Sequence, residues 1–445
     1  MTSNLFFPPL NYLFQSNQVL CVLYEMLHTY TIVCLAVLLL SSQWGATANK
    51  GKLVQLTVLN RHGHRAPNTP FWSICPADRV KRSKFHALPG GLTELGFQEE
   101  FAFGKFLHKK YGDFIGHEYS AGEHYVRAVG EPRTLQSAMA VTQGCFPRGY
   151  GPKGMAPGRP QFVPVFSDLE GHEYLMDDVP CTAQAAEDGA KFLSTTGKAI
   201  LQEAESQRVL REAKDLCETD DAQFSKAKSS IKDLVDGLIF SKDAGIGIGK
   251  KNEQLSDSTM FKLRNLSNTL LQGRLYGTDR QKTYTAVNFP NELLHHFELV
   301  TKNLNRSSNL NDVGVPDWST FEKFTLYVAH REELYGVGHF FNIPVDFPPL
   351  PMGEMPTATS LLFALYSHPA TKSSDKPDFR VHVSTWTPRN GQVTVKPTAC
   401  ASHLCTLDEF QQIYDRRVQR TSTWDQICRF QVPKSDFDPV VNRGL

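Results

Sequence analysis

The sequence predicts an α/β protein: a central, mostly parallel sheet flanked by helices, with an inserted mainly helical cap domain. Three observations lead there. Strand and helix patterns alternate after residue 51, a long Ala/Leu/Lys-rich stretch follows from about 183 to 300, and strand patterns return at Lys323.

The first element is Lys52-Leu-Val-Gln-Leu-Thr-Val-Leu-Asn60, an apolar β-branched run of the kind buried on both faces of a sheet. Thr93 is a good N-cap, and the helix it opens places Phe97, Phe101, Gly104 and Leu107 on one face and stops at Tyr111-Gly112. His124–Val129 reads as a second strand and Arg133–Val141 as a second helix. Good helix formers fill segments such as Ile200–Leu210. Gly245-Ile-Gly-Ile-Gly-Lys250 lacks the G-x-x-x-x-G-K-[ST] spacing of a phosphate loop and reads as a flexible loop within the helical region. Strands resume at Lys323–Ala329, Ser360–Tyr366 and Phe379–Ser384, and Thr406-Leu-Asp-Glu409 is a capping box that opens a last helix. The expected divisions are 1–48 (upstream extension and leader), 49–181 (core, first part), 182–310 (cap) and 311–445 (core, second part).

With 445 residues and 41% hydrophobic side chains the chain can bury a large core, and 47 basic against 46 acidic residues leave no field to hold nucleic acid. The ten apolar residues Thr31–Leu40, followed by Ala46-Thr47-Ala48, read as a secretory leader cut after Ala48, with Met26 a candidate start; a membrane partner is expected only if the leader stays uncleaved. The seven cysteines beyond it contain no C-x-x-C pair and suit disulfides in an oxidising compartment, with one left over. The sequons Asn265-Leu-Ser267 and Asn305-Arg-Ser307 agree with a secreted or lysosome/vesicle-lumen location. Nothing in the sequence sets an oligomeric state.

The chemistry concentrates in Arg61-His62-Gly63-His64-Arg65-Ala66-Pro67, where the first strand ends. Ligands of open α/β sheets bind outside the carboxyl ends of strands. Guanidinium forks bind phosphate oxygens, Gly63 would let the backbone come close to a ligand, and His62 stands as nucleophile. R-H-G-x-R-x-P should arise by chance in a chain this long with a frequency on the order of 10⁻⁴. His62-x-His64 could chelate a metal, but no acidic or cysteine ligand set stands nearby in sequence, and no metal or organic cofactor is needed. G-x-S-x-G and H-E-x-x-H motifs do not occur.

With Leu92-Thr-Glu-Leu-Gly-Phe-Gln98, Val126-Arg-Ala128 and Arg133-Thr-Leu-Gln-Ser-Ala138, this motif resembles the histidine acid phosphatases, branch 2 of the histidine phosphatase superfamily. The resemblance implies phosphate binding by Arg61, Arg65 and Arg127. It also implies a second histidine followed by an acid. Tyr366-Ser-His-Pro369 offers no acid, whereas His330-Arg331-Glu332 follows a strand; Arg331 replaces the usual Asp, and His330 with Glu332 fits the H-A-E spacing of phytase-like relatives. His330 then binds phosphate and Glu332 protonates the leaving alcohol, with a raised pKa and an acidic optimum expected. The substrate is a small phosphomonoester, its choice set by a rim for which His64, Asn68, His172 and Glu173 are candidates. A catalytically impaired member that binds phosphorylated ligands is the alternative, suggested by Arg331. The resemblance further implies the bridges Cys400–Cys405 and Cys181–Cys428, leaving Cys75, Cys145 and Cys217 unassigned.

Overall fold

Residues 51–149, 159–168, 173–176, 181–227, 231–286, 288–307, 322–368 and 378–429 are described by a computed structural model. The leader, His172 and the ends of several loops lie outside them. Leu53–Leu445 forms one compact unit.

Strand β1 (Lys52–Arg61) pairs in parallel with β3 (Phe324–Ala329), which pairs in parallel with β2 (His124–Ala128). Beyond β1 the sheet continues through β4 (Ser360–His368), β5 (Asp378–Thr387) and β6 (Gly391–Thr394), with β7 (Leu404–Thr406) also on β5. The β4–β5, β5–β6 and β5–β7 pairs are antiparallel, so the sheet is mixed and its parallel block is the part that carries the motif. Leu59, Tyr327 and Phe363 belong to an apolar cluster on one face, and Val58, Leu326 and Leu362 to a cluster on the other. That double burial is what the near-continuous apolar runs required. Register aligns Arg61 with Ala329 and Ala128 with Val328, so the three parallel strands end together.

The helices that frame this edge begin with α1 (Thr69–Ile74), α2 (Glu94–Ile115) and α3 (Pro132–Cys145). Thr93 caps α2 as expected, accepting from the Gly96 N–H. The buried face differs from the expected one: Gly96, Glu100, Phe103, Gly104 and Leu107 point inward, while Phe97 and Phe101 are about two-fifths exposed. The cause is backbone approach. A Cβ on Gly104 would lie 2.0 Å from the Val141 carbonyl of α3, and one on Gly63 would lie 2.5 Å from the Gly96 carbonyl. Small residues therefore have to face inward, which turns the two phenylalanines outward. The apolar contacts of Phe114 and Ile115 also carry α2 past Gly112 to Gly116 (φ 95°).

Eight helices follow: α4 (Thr182–Ser194), α5 (Thr196–Gln202), α6 (Ala204–Leu216), α7 (Asp221–Ala227), α8 (Ile231–Asp243), α9 (Asp257–Tyr276), α10 (Asp279–Tyr284) and α11 (Phe289–Ser307). Val209, Leu234, Leu238 and Met260 from them join Phe71, Trp72 and Ile74 in a separate apolar cluster. The glycine-rich segment after α8 is a turn fastened by Lys81, which donates to the carbonyls of Gly247 and Gly249 at 2.8 and 2.6 Å. Helix α12 (Arg331–Phe340) starts directly after β3, and α13 (Leu407–Thr421) opens on the Thr406/Glu409 capping box; α14 (Trp424–Cys428) completes the described chain.

Cys400–Cys405 and Cys181–Cys428 are bridged. Of the three unassigned cysteines, Cys75 and Cys217 form a disulfide across 142 residues, and Cys145 is a buried thiol pushed up to about 12 by burial.

Two outcomes follow from this packing. Gly63→Ala should lower the unfolding free energy by about 1–3 kcal/mol, read from denaturant midpoints, because neither the Gly96 backbone nor the loop has room for a methyl group. Replacing Cys75 and Cys217 together by Ser should cost about 2–5 kcal/mol in the same measurement; an unchanged midpoint would show that the bridge constrains nothing.

Candidate active site

The ends of β1 and β3 bring the two halves of the site together. The His62 N–H donates to the Ala329 carbonyl at 3.0 Å, and His330 follows immediately, so the two imidazoles meet nearly perpendicular with centroids 5.5 Å apart. Both border a cavity of about 250 Å³ lined also by Arg61, Arg65, Asn68, Glu131, Arg133, Lys232, Asp236, Arg274, Arg331 and Glu332.

A second layer holds the loop. Gly63 N–H donates to the Ser137 hydroxyl of α3, and the His64 N–H donates to Glu99 of α2 at 2.8 Å. Asn60 donates to Glu100, one residue along the same helix. Burial pushes the Glu99 carboxyl up to about 7 and raises the Glu100 carboxyl well above its ordinary range. Gly63 faces Gly96, so its role is helix contact rather than the close ligand approach expected. His64 is likewise structural: Nε2 donates to the Phe240 carbonyl at 3.1 Å and Nδ1 meets the Thr93 hydroxyl at 2.6 Å, which occupies both nitrogens.

His62 donates from Nδ1 to the Gly63 carbonyl at 2.8 Å, because a carbonyl can only accept. The lone pair is therefore on Nε2. Burial, then Arg133 and Arg61, hold this imidazole well below its ordinary pKa, which favours its neutral form. His330 is lowered to about 3 by burial and Arg133. Its backbone N–H is taken by Glu333, and its Nε2 stands 3.7 Å from Glu131.

Helix α8 grips the tripeptide His330-Arg331-Glu332 with two side chains four residues apart. Asp236 accepts from Arg331 in two hydrogen bonds of 2.9 and 3.1 Å and from Arg65 at 3.2 Å; Lys232 pairs with Glu332. Burial pushes the Asp236 carboxyl up, but Arg331 and Arg65 outweigh it and hold it below its usual range. Glu332 behaves alike: Lys232 and Arg331 overcome burial and hold its carboxyl well below the ordinary value. This corrects the expected elevation. The cause is Lys232, a residue of the helical segment that no motif near Glu332 announces.

Of the six residues singled out from the sequence, Arg61, His62, Arg65, His330 and Glu332 line one cavity. Arg127 is not among the lining residues. Glu173, 1% exposed, accepts from its Nη2 at 3.0 Å, and Asp168 pairs with it too, so this rim candidate instead fastens a strand end. Arg133, paired with Glu131, stands by the histidines in its stead. Asn68 does reach the rim, accepting from Arg65 and donating to Asp233. Arg133 lay within a quoted motif but beside a more conspicuous arginine; Lys232 and Asp236 had only helical i,i+4 spacing.

The profile of the histidine phosphatase superfamily (branch 2) matches residues 52–384. Human prostatic acid phosphatase is 26% identical over 306 residues, 63% of this chain and 67% of that one. A putative acid phosphatase of Caenorhabditis elegans is 30% identical over 153 residues, 34% of this chain and 35% of its own. Among solved structures, a Klebsiella sp. phytase superposes with a TM-score of 0.57 at 16% identity, covering 86% of this chain and 98% of its own, a likeness of fold. The chain belongs to branch 2 of the histidine phosphatase superfamily.

Proposed function

We propose that the protein hydrolyses phosphate monoesters through a phosphohistidine on His62. The observation that carries this reading is an imidazole whose Nδ1–H is committed to the Gly63 carbonyl, which leaves the Nε2 lone pair uncommitted on a residue that lines a cavity ringed by guanidinium groups. A phosphoryl group seated there has its charge met by Arg61, Arg65, Arg133 and His330. Nε2 attacks phosphorus, the P–O bond to the alcohol breaks, and Glu332 gives its proton to the departing oxygen. Water then attacks the phosphohistidine, the N–P bond breaks, the Glu332 carboxylate takes the water's proton, and inorganic phosphate leaves.

Glu332 begins this cycle ionised against Lys232. The dianionic ester supplies a competing partner for that ammonium, and a carboxyl group released from Lys232 beside a phosphate dianion gains affinity for a proton. Catalysis in the acidic range is consistent with this order of events. The segment 182–310 serves in this reading as a cap, since α8 reaches the tripeptide. Three disulfides among the described residues and the name of a Xenopus laevis relative, lysosomal acid phosphatase, 31% identical over 181 residues, support a secreted or lysosomal site of action.

Two measurements test the roles. His62→Ala should remove more than about 10³-fold of kcat/KM on every ester, whereas Glu332→Gln should cost about 10²-fold or more on alkyl phosphates and far less on nitrophenyl phosphate, whose leaving group needs no proton. Equal losses on both esters would remove Glu332 as the acid. In the pH profile of kcat/KM on an alkyl phosphate, activity falls as pH rises and the acid loses its proton. Lys232→Met deletes the cation that holds the Glu332 carboxyl low, so the alkaline limb should shift to higher pH, by about one unit. An unmoved limb would show that this ion pair does not govern the acid.

A further inference from the structure

The cations around the cavity divide into two sorts. Arg65 and Arg331 are matched by Asp236, Lys232 by Glu332, and Arg133 by Glu131. Arg61 and Arg274 have no carboxylate within ion-pair reach among the described residues. Arg61 donates only to the Met355 carbonyl, and it sits at the root of the cavity beside His62, where a phosphoryl group is expected. Arg274 also lines the cavity, from the last turn of α9, with Leu275 and Tyr276 beside it in the lining.

Arg274 is half-buried, and its guanidinium has no hydrogen-bond acceptor among the described residues. Its stem is held in place: Gly189 of α4 leaves room for it, and a Cβ there would lie 3.1 Å from Cγ and 3.4 Å from Cδ of Arg274. A guanidinium fixed by packing at the wall of a cavity, with its donors unused, is preorganised for an anion. Arg274 is not among the cations that act most strongly on His62 and His330, which are Arg61, Arg65, Arg133 and Lys232, so the phosphoryl group beside those histidines is met by other side chains.

We propose that the preferred substrate is a phosphomonoester whose alcohol portion carries a second acidic group, which Arg274 binds. The inference rests on the phosphatase reading and deepens it. The shared chemistry is a fixed negative charge on the leaving group, whether carboxylate or second phosphate, with Leu275 and Tyr276 covering the carbon skeleton between the two anions.

The test compares matched esters: glycerol 3-phosphate against 3-phosphoglycerate for a carboxylate, and fructose 6-phosphate against fructose 1,6-bisphosphate for a phosphate. The wild type should favour the acidic member of at least one pair by about tenfold or more in kcat/KM, and which pair responds identifies the group. In Arg274→Gln that ratio should fall toward one, in Arg274→Lys it should be partly kept, and in Arg274→Glu it should invert. Ratios between esters are insensitive to a general loss of folded enzyme. A wild-type ratio near one in both pairs, or a ratio that survives Arg274→Gln, would mean that Arg274 merely complements the α9 dipole. If no ester is turned over, the hydrolase reading fails. Calorimetric titration of the same pairs then decides this one: tighter binding of the acidic member that is lost in Arg274→Gln upholds it, and equal binding sinks it.

Discussion

Asp236 holds two guanidinium groups that come from distant parts of the chain, and the site depends on it. Arg65 comes from the loop after β1 and Arg331 from the start of α12, and both are buried against this one carboxylate. Arg61 and Arg133 add further positive charge nearby. Such a concentration of like charge in a small, poorly hydrated space is costly unless part of it is neutralised within the protein, and the remainder is what gives an anion its binding energy. Asp236 neutralises only part: Arg331 is engaged through two bonds and Arg65 through one. Because Asp236 is carried by α8, the helical segment is an integral part of the candidate site.

The same helix explains how His330-Arg331-Glu332 works in the absence of the His-Asp pair usual in the family. An arginine beside the second histidine would, unpaired, draw the phosphoryl group away from His62 or repel the cations already present. Paired to Asp236, it is neutralised, and in the proposed mechanism the acid function passes one residue on to Glu332. Lys232, one helical turn before Asp236, keeps Glu332 facing the cavity. The substitution at Arg331 is therefore compensated through space by a helix nearly a hundred residues earlier, which argues against reading it as the mark of a lost activity.

Features determined by neighbours in sequence were legible there. The Thr93 cap and the Thr406/Glu409 box depend on contacts within a few residues, and the β1 run and the R-H-G-x-R-x-P loop are marked by local pattern; each appears where its pattern sits. Features determined by what packs across were not. The inward face of α2 was decided by glycines meeting Gly63 and α3, not by the larger apolar side chains, because backbone contact excludes them. Arg127 looked like a phosphate ligand from its motif, but buried Glu173 captures it; no spacing rule encodes a partner from a separate loop. Cys75–Cys217 was equally unreadable, since its closure depends on where α6 packs against α1.

In the proposed mechanism, charge pairing also orders the chemistry in time. A general acid with a permanently depressed pKa would be a poor proton donor near neutrality, and a permanently elevated one would be a poor base for the water that follows. An ion pair whose cation can be drawn off by the substrate escapes that conflict. With the cavity empty, Lys232 and Arg331 favour the ionised form of Glu332 and offset the cost of burying a carboxylate. With a phosphate dianion present, the ammonium has a more highly charged partner and the carboxyl is left facing negative charge, the condition under which it takes up a proton. Departure of the alcohol and transfer of the phosphoryl group to His62 reduce that negative charge, and Glu332, deprotonated by its own donation, is then a base in position for water. The charge state of the acid thus follows the position of the phosphoryl group, and the cation that depresses its pKa in the free enzyme is what makes the alternation possible.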